Sequence, residues 1–155
     1  MLDFAINHKE QLLNIHREFV TKNTLHCKFF LATNWFNYTL TVEDSSWDKI
    51  QMVSLDNSGQ VVGYMCATLN MPQQKVIDFS IISYKTGINK NIYPDANKFM
   101  EELLTRFRKV SFFSFVGSSA EKVNDKIIKA FEGRIVGIEE KHTILLDNKI
   151  YDLKT

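Results

Sequence analysis

The chain has 155 residues, 45% of them hydrophobic and 24% charged, with a formal net charge of +1. That length suits one domain with a sizeable core, residues 1–155, and twelve phenylalanines argue for packing over disorder. A balance this close to neutral gives no reason to expect nucleic-acid binding from bulk electrostatics, though it leaves room for local basic patches, and no apolar stretch is long enough to span a bilayer.

The first segment, MLDFAINHKE, has acidic residues and no apolar region of the signal-peptide kind, so the expected location is the cytoplasm. Cys27 and Cys66 stand far apart and outside any CxxC arrangement, which reads as two reduced thiols. His8, His16, His26 and His142 show no metal-ligand spacing, so no metal is expected.

In chain order, Leu12, Leu13, Ile15, His16, Phe19 and Val20 predict a helix over Asn7 to Val20, with Asn7 as its N-cap. Phe29, Phe30, Leu31, Trp35, Phe36 and Leu40 form a second helical or mixed segment, since aromatic residues also suit strands. Its Phe29–Trp35–Phe36 cluster is either core or one wall of an acceptor groove. From Lys49 the period shortens to two. KIQMVSL and VVGYMCATL read as the arms of a hairpin turned by Asp56-Asn57-Ser58-Gly59, and Pro72-Gln73-Gln74 turns the chain again.

The strand VIDFSII (Val76–Ile82), a loop over Lys85–Pro94, a helix over Asp95–Phe107 and the run VSFFSFV (Val110–Val116) then make a βαβ unit. Its strands should be buried parallel neighbours. The loop opening the helix is the expected ligand site, because a helix N-terminus presents unpaired N–H groups and a positive dipole end. Ser118 or Ser119 should cap a further helix over Ala120–Phe131, with Gly133 just past its end. Ile135, Val136 and Ile138, Thr143–Leu146, an Asp147-Asn148-Lys149 turn and Ile150–Leu153 close the chain as a hairpin.

Two helices, a three-stranded meander, strand–helix–strand–helix and a closing hairpin: this order resembles the GNAT superfamily of acyl-CoA N-acyltransferases. The resemblance runs from about Asn7 to the end, and is most specific in SFVGSSAEKVNDKIIKAFEGRIVGIEEKHTILLDNKIYDLK. It implies a mixed, mostly antiparallel α/β sheet of about six or seven strands, helices on both faces and a splayed parallel strand pair. It further implies transfer of an acetyl group from acetyl-CoA, as co-substrate, to a primary amine of unidentified acceptor. The backbone of Ile81, Ile82, Ser83 and Tyr84 would run beside the pantetheine arm. Lys90, Asn91, Ile92, Tyr93, Asp95 and Ala96 would meet the pyrophosphate, with Ser118 completing the cofactor set. Asp78, with Ser80 on the same face, is the candidate base. Asn124 stands where many members of the superfamily carry a tyrosine that protonates the thiolate. Asn91 and Pro94 also depart from the Q/R-x-x-G-x-G/A pattern.

Other readings stand beside these. Asp78 can point to solvent, Tyr84 can pack on a helix, and Asn91 and Asp95 can be ordinary turn and capping residues. Lys85, Lys90 and Lys98 either face the phosphates or form a solvated rim. The departures favour a GNAT-fold binding or regulatory module without catalysis. A third reading is an acyltransferase acting on nucleic acid, for which this charge gives no indication. The oligomeric state is open, a dimer included.

Overall fold

A computed structural model describes residues 1–22, 40–43, 47–85, 89–117, 121–144 and 149–155. Cys27, the Phe29–Trp35–Phe36 cluster, Ser118, Ser119 and the Asp147-Asn148 turn lie outside the described residues. The chain divides into two compact units, one built from residues 1–16 and 41–112 and the other, among the described residues, from 17–22, 40, 113–117, 121–144 and 149–155.

The first unit holds a sheet of order β1-β2-β3-β4-β5, made by Leu2–Phe4, Lys49–Leu55, Val61–Asn70, Lys75–Ser83 and Lys109–Val110. Neighbours are antiparallel except β4 and β5. The predicted hairpin is present and its turn chemistry is explicit. Asp56 Oδ1 accepts from the Ser58 N–H (2.9 Å), the Ser58 hydroxyl (2.7 Å) and the Gln60 N–H (3.1 Å). Gly59 takes φ +77°, which a side chain would oppose. At the next turn the Asn70 side chain accepts from the Gln73 N–H at 3.1 Å. These two turns fix the register that places Gln51 opposite Cys66 and Cys66 opposite Ser80.

Helices lie on both faces of this sheet. On one face, helix α2 (Ile92–Arg106) buries Ile92, Ala96, Phe99, Met100 and Leu103, and the Phe99 ring meets Phe79 at a centroid separation of 5.6 Å. Gly63 admits the close approach, because a methyl group there would collide with the Ile92 side chain. Helix α1 (Lys9–Lys22) lies against the other face, with Leu12 and His16 buried one turn apart and the Gln11 side chain accepting from the Val61 N–H at 3.2 Å.

Three boundaries differ from expectation. Asn7 is not an N-cap, because a 3-10 turn over Ala5–His8 precedes α1. Asp3 takes the local donors instead, accepting from the Phe4 N–H (2.7 Å) and the Asn7 amide (3.2 Å). Helix α2 begins at Ile92, ahead of the expected Asp95, since Pro94 is well suited to a first turn. The run Val110–Val116 is not one buried strand. Only β5 joins β4, while β6 (Ser114–Phe115) pairs with the C-terminal strand of the second unit and Phe113 is 46% exposed. A continuous apolar run carries no mark of where the chain changes partner.

The second unit has a sheet of order β6-β8-β7, with β7 over Ile138–Ile144 and β8 over Ile150–Lys154. Described strands thus number eight in two sheets, against six or seven expected in one. Helix α3 (Glu121–Ala130) is tied to β8 by Lys154, whose buried ammonium donates to Glu121 at 2.8 Å and Asp125 at 2.6 Å. Burial pulls that ammonium's pKa down, but the two carboxylates outweigh it and the net direction is up. Among the described residues no helix is long and apolar enough to cross a membrane.

Candidate functional site

The two faces of the five-stranded sheet differ in chemistry. Met52, Met65, Ala67 and Phe79 point toward α2 and are almost wholly buried. The α1 face carries a polar row instead, because alternation along paired strands puts Gln51, Tyr64, Cys66, Thr68, Asp78 and Ser80 on one side. Ser80 Oγ donates to Asp78 Oδ2 at 3.0 Å. Burial raises the Asp78 carboxyl above its ordinary value, and the bonds from Ser80 and the Phe79 N–H only partly offset this. Cys66 is likewise pushed up by burial, which keeps it a thiol and a poor nucleophile.

Gln51 is the hub of this face. Its amide donates to the Tyr64 hydroxyl at 2.6 Å and to the Thr41 carbonyl at 2.8 Å, while its oxygen accepts from the Glu43 N–H at 3.2 Å. One side chain thereby clasps the segment 41–43 to the sheet. Tyr84 faces the same side, buried, with its hydroxyl hydrogen-bonded to His16 Nδ1 at 2.9 Å. Desolvation drives both phenols upward, so neither ionises near neutrality. Sequence reading singled out Asp78, Ser80 and Tyr84 but not Gln51, Tyr64, Cys66 or His16. The signal was present: once the two turns set the register, the period of two alone aligns Gln51, Cys66 and Ser80.

Among the described residues, the edge of β4 has no paired strand for most of its length. β5 pairs with it only at Lys75 and Val76, followed by one bond from the Ser111 N–H to the Val76 carbonyl at 2.9 Å. From Ile77 to Ser83 no described strand lies on that side. The Tyr84 N–H points inward to the Val62 carbonyl at 3.0 Å. Alternation then turns the N–H and C=O groups of Ile81 and Ser83 outward, whereas those of Ile82 and Tyr84 serve β3.

At the mouth of α2 the first intrahelical bond runs from the Asp95 N–H to the Asn91 carbonyl at 3.0 Å. The three helical positions before it have no intrahelical acceptor, and Pro94 has no N–H, so Ile92 and Tyr93 carry the free donors of this turn. The Asn91 N–H is met by Asn89 Oδ1 at 3.2 Å, and the Asn91 amide donates to the Leu55 carbonyl at 3.0 Å. Asp95 turns back to the sheet, where Ser54 Oγ donates to it at 2.5 Å and the Met1 amine lies 3.3 Å away. Ala96 is fully buried beneath the helix. A polar cleft of about 420 Å³ adjoins this turn, lined by Asp56, Asn57, Ser58, Lys85, Lys90 and Asn91. Lys85 is held by Asp56 at 3.8 Å, and Lys90 is exposed.

Asp78, Ile81–Tyr84 and Lys90–Ala96 all belong to the first unit. Asn124, partly exposed on α3, belongs to the second, and Ser118 lies outside the described residues.

No protein-family model and no curated relative matches the sequence. Solved structures do match the fold. A GNAT-family acetyltransferase from Streptococcus pneumoniae aligns over 99% of this chain and 95% of its own, with a TM-score of 0.70 at 14% identity. A ribosomal-protein-alanine N-acetyltransferase from Brucella melitensis aligns over 99% and 96%, with a TM-score of 0.70 at 17% identity. A structure described as a phosphinothricin N-acetyltransferase gives 0.62 at 16% identity over 99% and 94%. At these identities the likeness establishes the fold. The chain has the mixed α/β, GNAT-like fold.

Proposed function

We propose that the protein is an acetyl-CoA-dependent N-acetyltransferase acting on a primary amine. The observation that carries this reading is the open edge of β4, set in a fold shared with several acetyltransferases. Pantetheine is an extended chain of amides, and the outward N–H and C=O groups of Ile81 and Ser83 offer it the hydrogen bonds of a neighbouring strand. The free N–H groups of Ile92 and Tyr93 suit a pyrophosphate oxygen, with Lys90 as a nearby cation. An aspartate at position 95 would stand beside that phosphate as an opposing charge. Its carboxylate turns inward to Ser54, which removes part of the objection.

In the reaction, the neutral amine attacks the thioester carbonyl carbon, a C–N bond forms, and the C–S bond breaks as coenzyme A leaves. Asp78, directly or through a water, takes the proton lost by the amine. Its raised pKa makes it a stronger base than an ordinary aspartate once ionised. The departing sulfur collects its proton from solvent. Alignment of the two substrates supplies much of the rate.

Release of free thiol from acetyl-CoA in the presence of a panel of primary amines tests this. An amine-dependent rate that falls in Asp78→Asn supports it, whereas acetyl-CoA binding without turnover for any amine favours the non-catalytic module. A thermal shift reads acetyl-CoA binding apart from turnover, because ligand at a hundred times its Kd stabilises by about 2.7 kcal/mol whether or not it reacts.

A further inference from the structure

Building on the acetyltransferase reading, we infer that Asn89 is a positioning residue for the acetyl-CoA site, tying the β4 edge to the turn that opens α2. The stretch from Asn89 to Ala96 contains no glycine and includes Pro94. A glycine-rich turn can aim its N–H groups at a phosphate through backbone freedom, and this turn lacks that freedom. Side-chain amides hold it instead.

Asn89 is 9% exposed, and both ends of its amide are bonded within the protein. The nitrogen donates to the Val62 carbonyl at 2.9 Å and to Ser83 Oγ at 3.1 Å, while the oxygen accepts from the Asn91 N–H at 3.2 Å. Chemistry fixes this orientation. A carbonyl accepts and cannot donate, so the nitrogen must face Val62 and the oxygen must face the N–H. The bond to the residue two places on is the Asx turn that asparagine favours. Asn91 adds its own tie to the Leu55 carbonyl at 3.0 Å. The two asparagines thereby fasten one turn to β2, β3 and β4, through Leu55, Val62 and Ser83.

The unpaired N–H groups of Ile92 and Tyr93 follow at once in the chain, so the same bonds set their direction. Lys90, between the two asparagines, is exposed and lines the polar cleft. Ser83 joins the two halves of the site: its backbone belongs to the β4 edge and its hydroxyl to Asn89. Asn89 acts on a ligand only through the groups it holds.

Binding titrations on the full chain with three probes test this. Acetyl-CoA is the whole ligand, ADP carries the pyrophosphate without the pantetheine arm, and S-acetylpantetheine carries the arm without phosphate. Asn89→Ala should weaken acetyl-CoA and ADP by about tenfold or more. S-acetylpantetheine should change by less than about twofold, because β3 still holds the β4 edge. Asn89→Ser keeps an acceptor for the Asn91 N–H and should fall between wild type and alanine. Adding Ser83→Ala to Asn89→Ala should weaken ADP no further, as expected when both changes remove one shared bond. Should Asn89→Ala fail to fold, Asn89→Ser and Ser83→Ala alone, each expected to weaken ADP, carry the same test. Equal weakening of both fragments, or a lowered melting point with ADP affinity unchanged, would assign Asn89 to the fold alone and overturn the inference. Acetyl-CoA affinity unchanged by these substitutions, or a wild type that binds acetyl-CoA but not ADP, would overturn it and leave the acetyltransferase reading standing. A wild type that binds no acetyl-CoA would overturn both.

Discussion

The two faces of the five-stranded sheet are built from the same strands and have opposite characters. Under α2, Met52, Met65, Ala67, Phe79 and Phe99 leave little accessible surface, and the polar pair Ser54 with Asp95 is satisfied internally. Under α1, Tyr64, Tyr84, Asp78 and Cys66 sit where burial shifts their titration, and the Gln51 amide is shared between Tyr64 and the neighbouring segment 41–43. The α2 face is organised for stability. The α1 face sets a polar row among its apolar residues, and the proposed base, Asp78, belongs to that row.

The sharpest way to break this contrast is one substitution on each face. Phe99→Ala, beneath α2, removes a ring that is 1% exposed and should lower unfolding free energy by about 3–5 kcal/mol in urea titration, with any surviving folded protein keeping its acceptor preference. Asp78→Asn, on the other face, should cut kcat/KM by about 10²–10⁴ without destabilising the fold. Its sign follows from linkage. A carboxyl whose folded pKa lies above the ordinary 3.8 costs stability as pH rises from that value through the folded one. The asparagine variant escapes that cost, so at pH 7 its melting point should equal or exceed the wild type, and the acidic limb of the kcat/KM profile should disappear. If Asp78→Asn unfolds the protein instead, the division of labour between the faces is wrong.

Smaller effects sharpen the picture. Ser54→Ala strips the buried Asp95 carboxylate of its nearest donor and should cost about 1–3 kcal/mol, measured by thermal denaturation. Gln51→Leu should loosen the segment 41–43 and raise KM for the amine more than it changes KM for acetyl-CoA, because that segment packs on the α1 face. Lys90→Ala, at an exposed position, should weaken acetyl-CoA by no more than a few-fold, and the difference should shrink as salt is added.

Much of this architecture could be read from residue order. The Asp56–Gly59 and Asn70–Gln74 turns carry their own chemistry, so the meander and the shared face of Asp78 and Ser80 follow from short-range rules. Events set by tertiary partners could not be read that way. Nothing in VSFFSFV marks the point where β5 leaves one sheet and β6 joins another, and that departure is what frees the edge of β4. Nothing local tells that Asp95 turns toward Ser54, since the two are 41 residues apart. The three-residue strand β1 was missed because LDF is too short to show a period and is held by pairing with β2.

Amide hydrogen exchange with and without acetyl-CoA bears most directly on the account. The outward N–H groups of Ile81 and Ser83 should exchange quickly in the free protein and become protected on binding, together with Ile92 and Tyr93, while Ile82 and Tyr84, already bonded to β3, change little. Protection confined to other strands, or none at saturating acetyl-CoA, would contradict it.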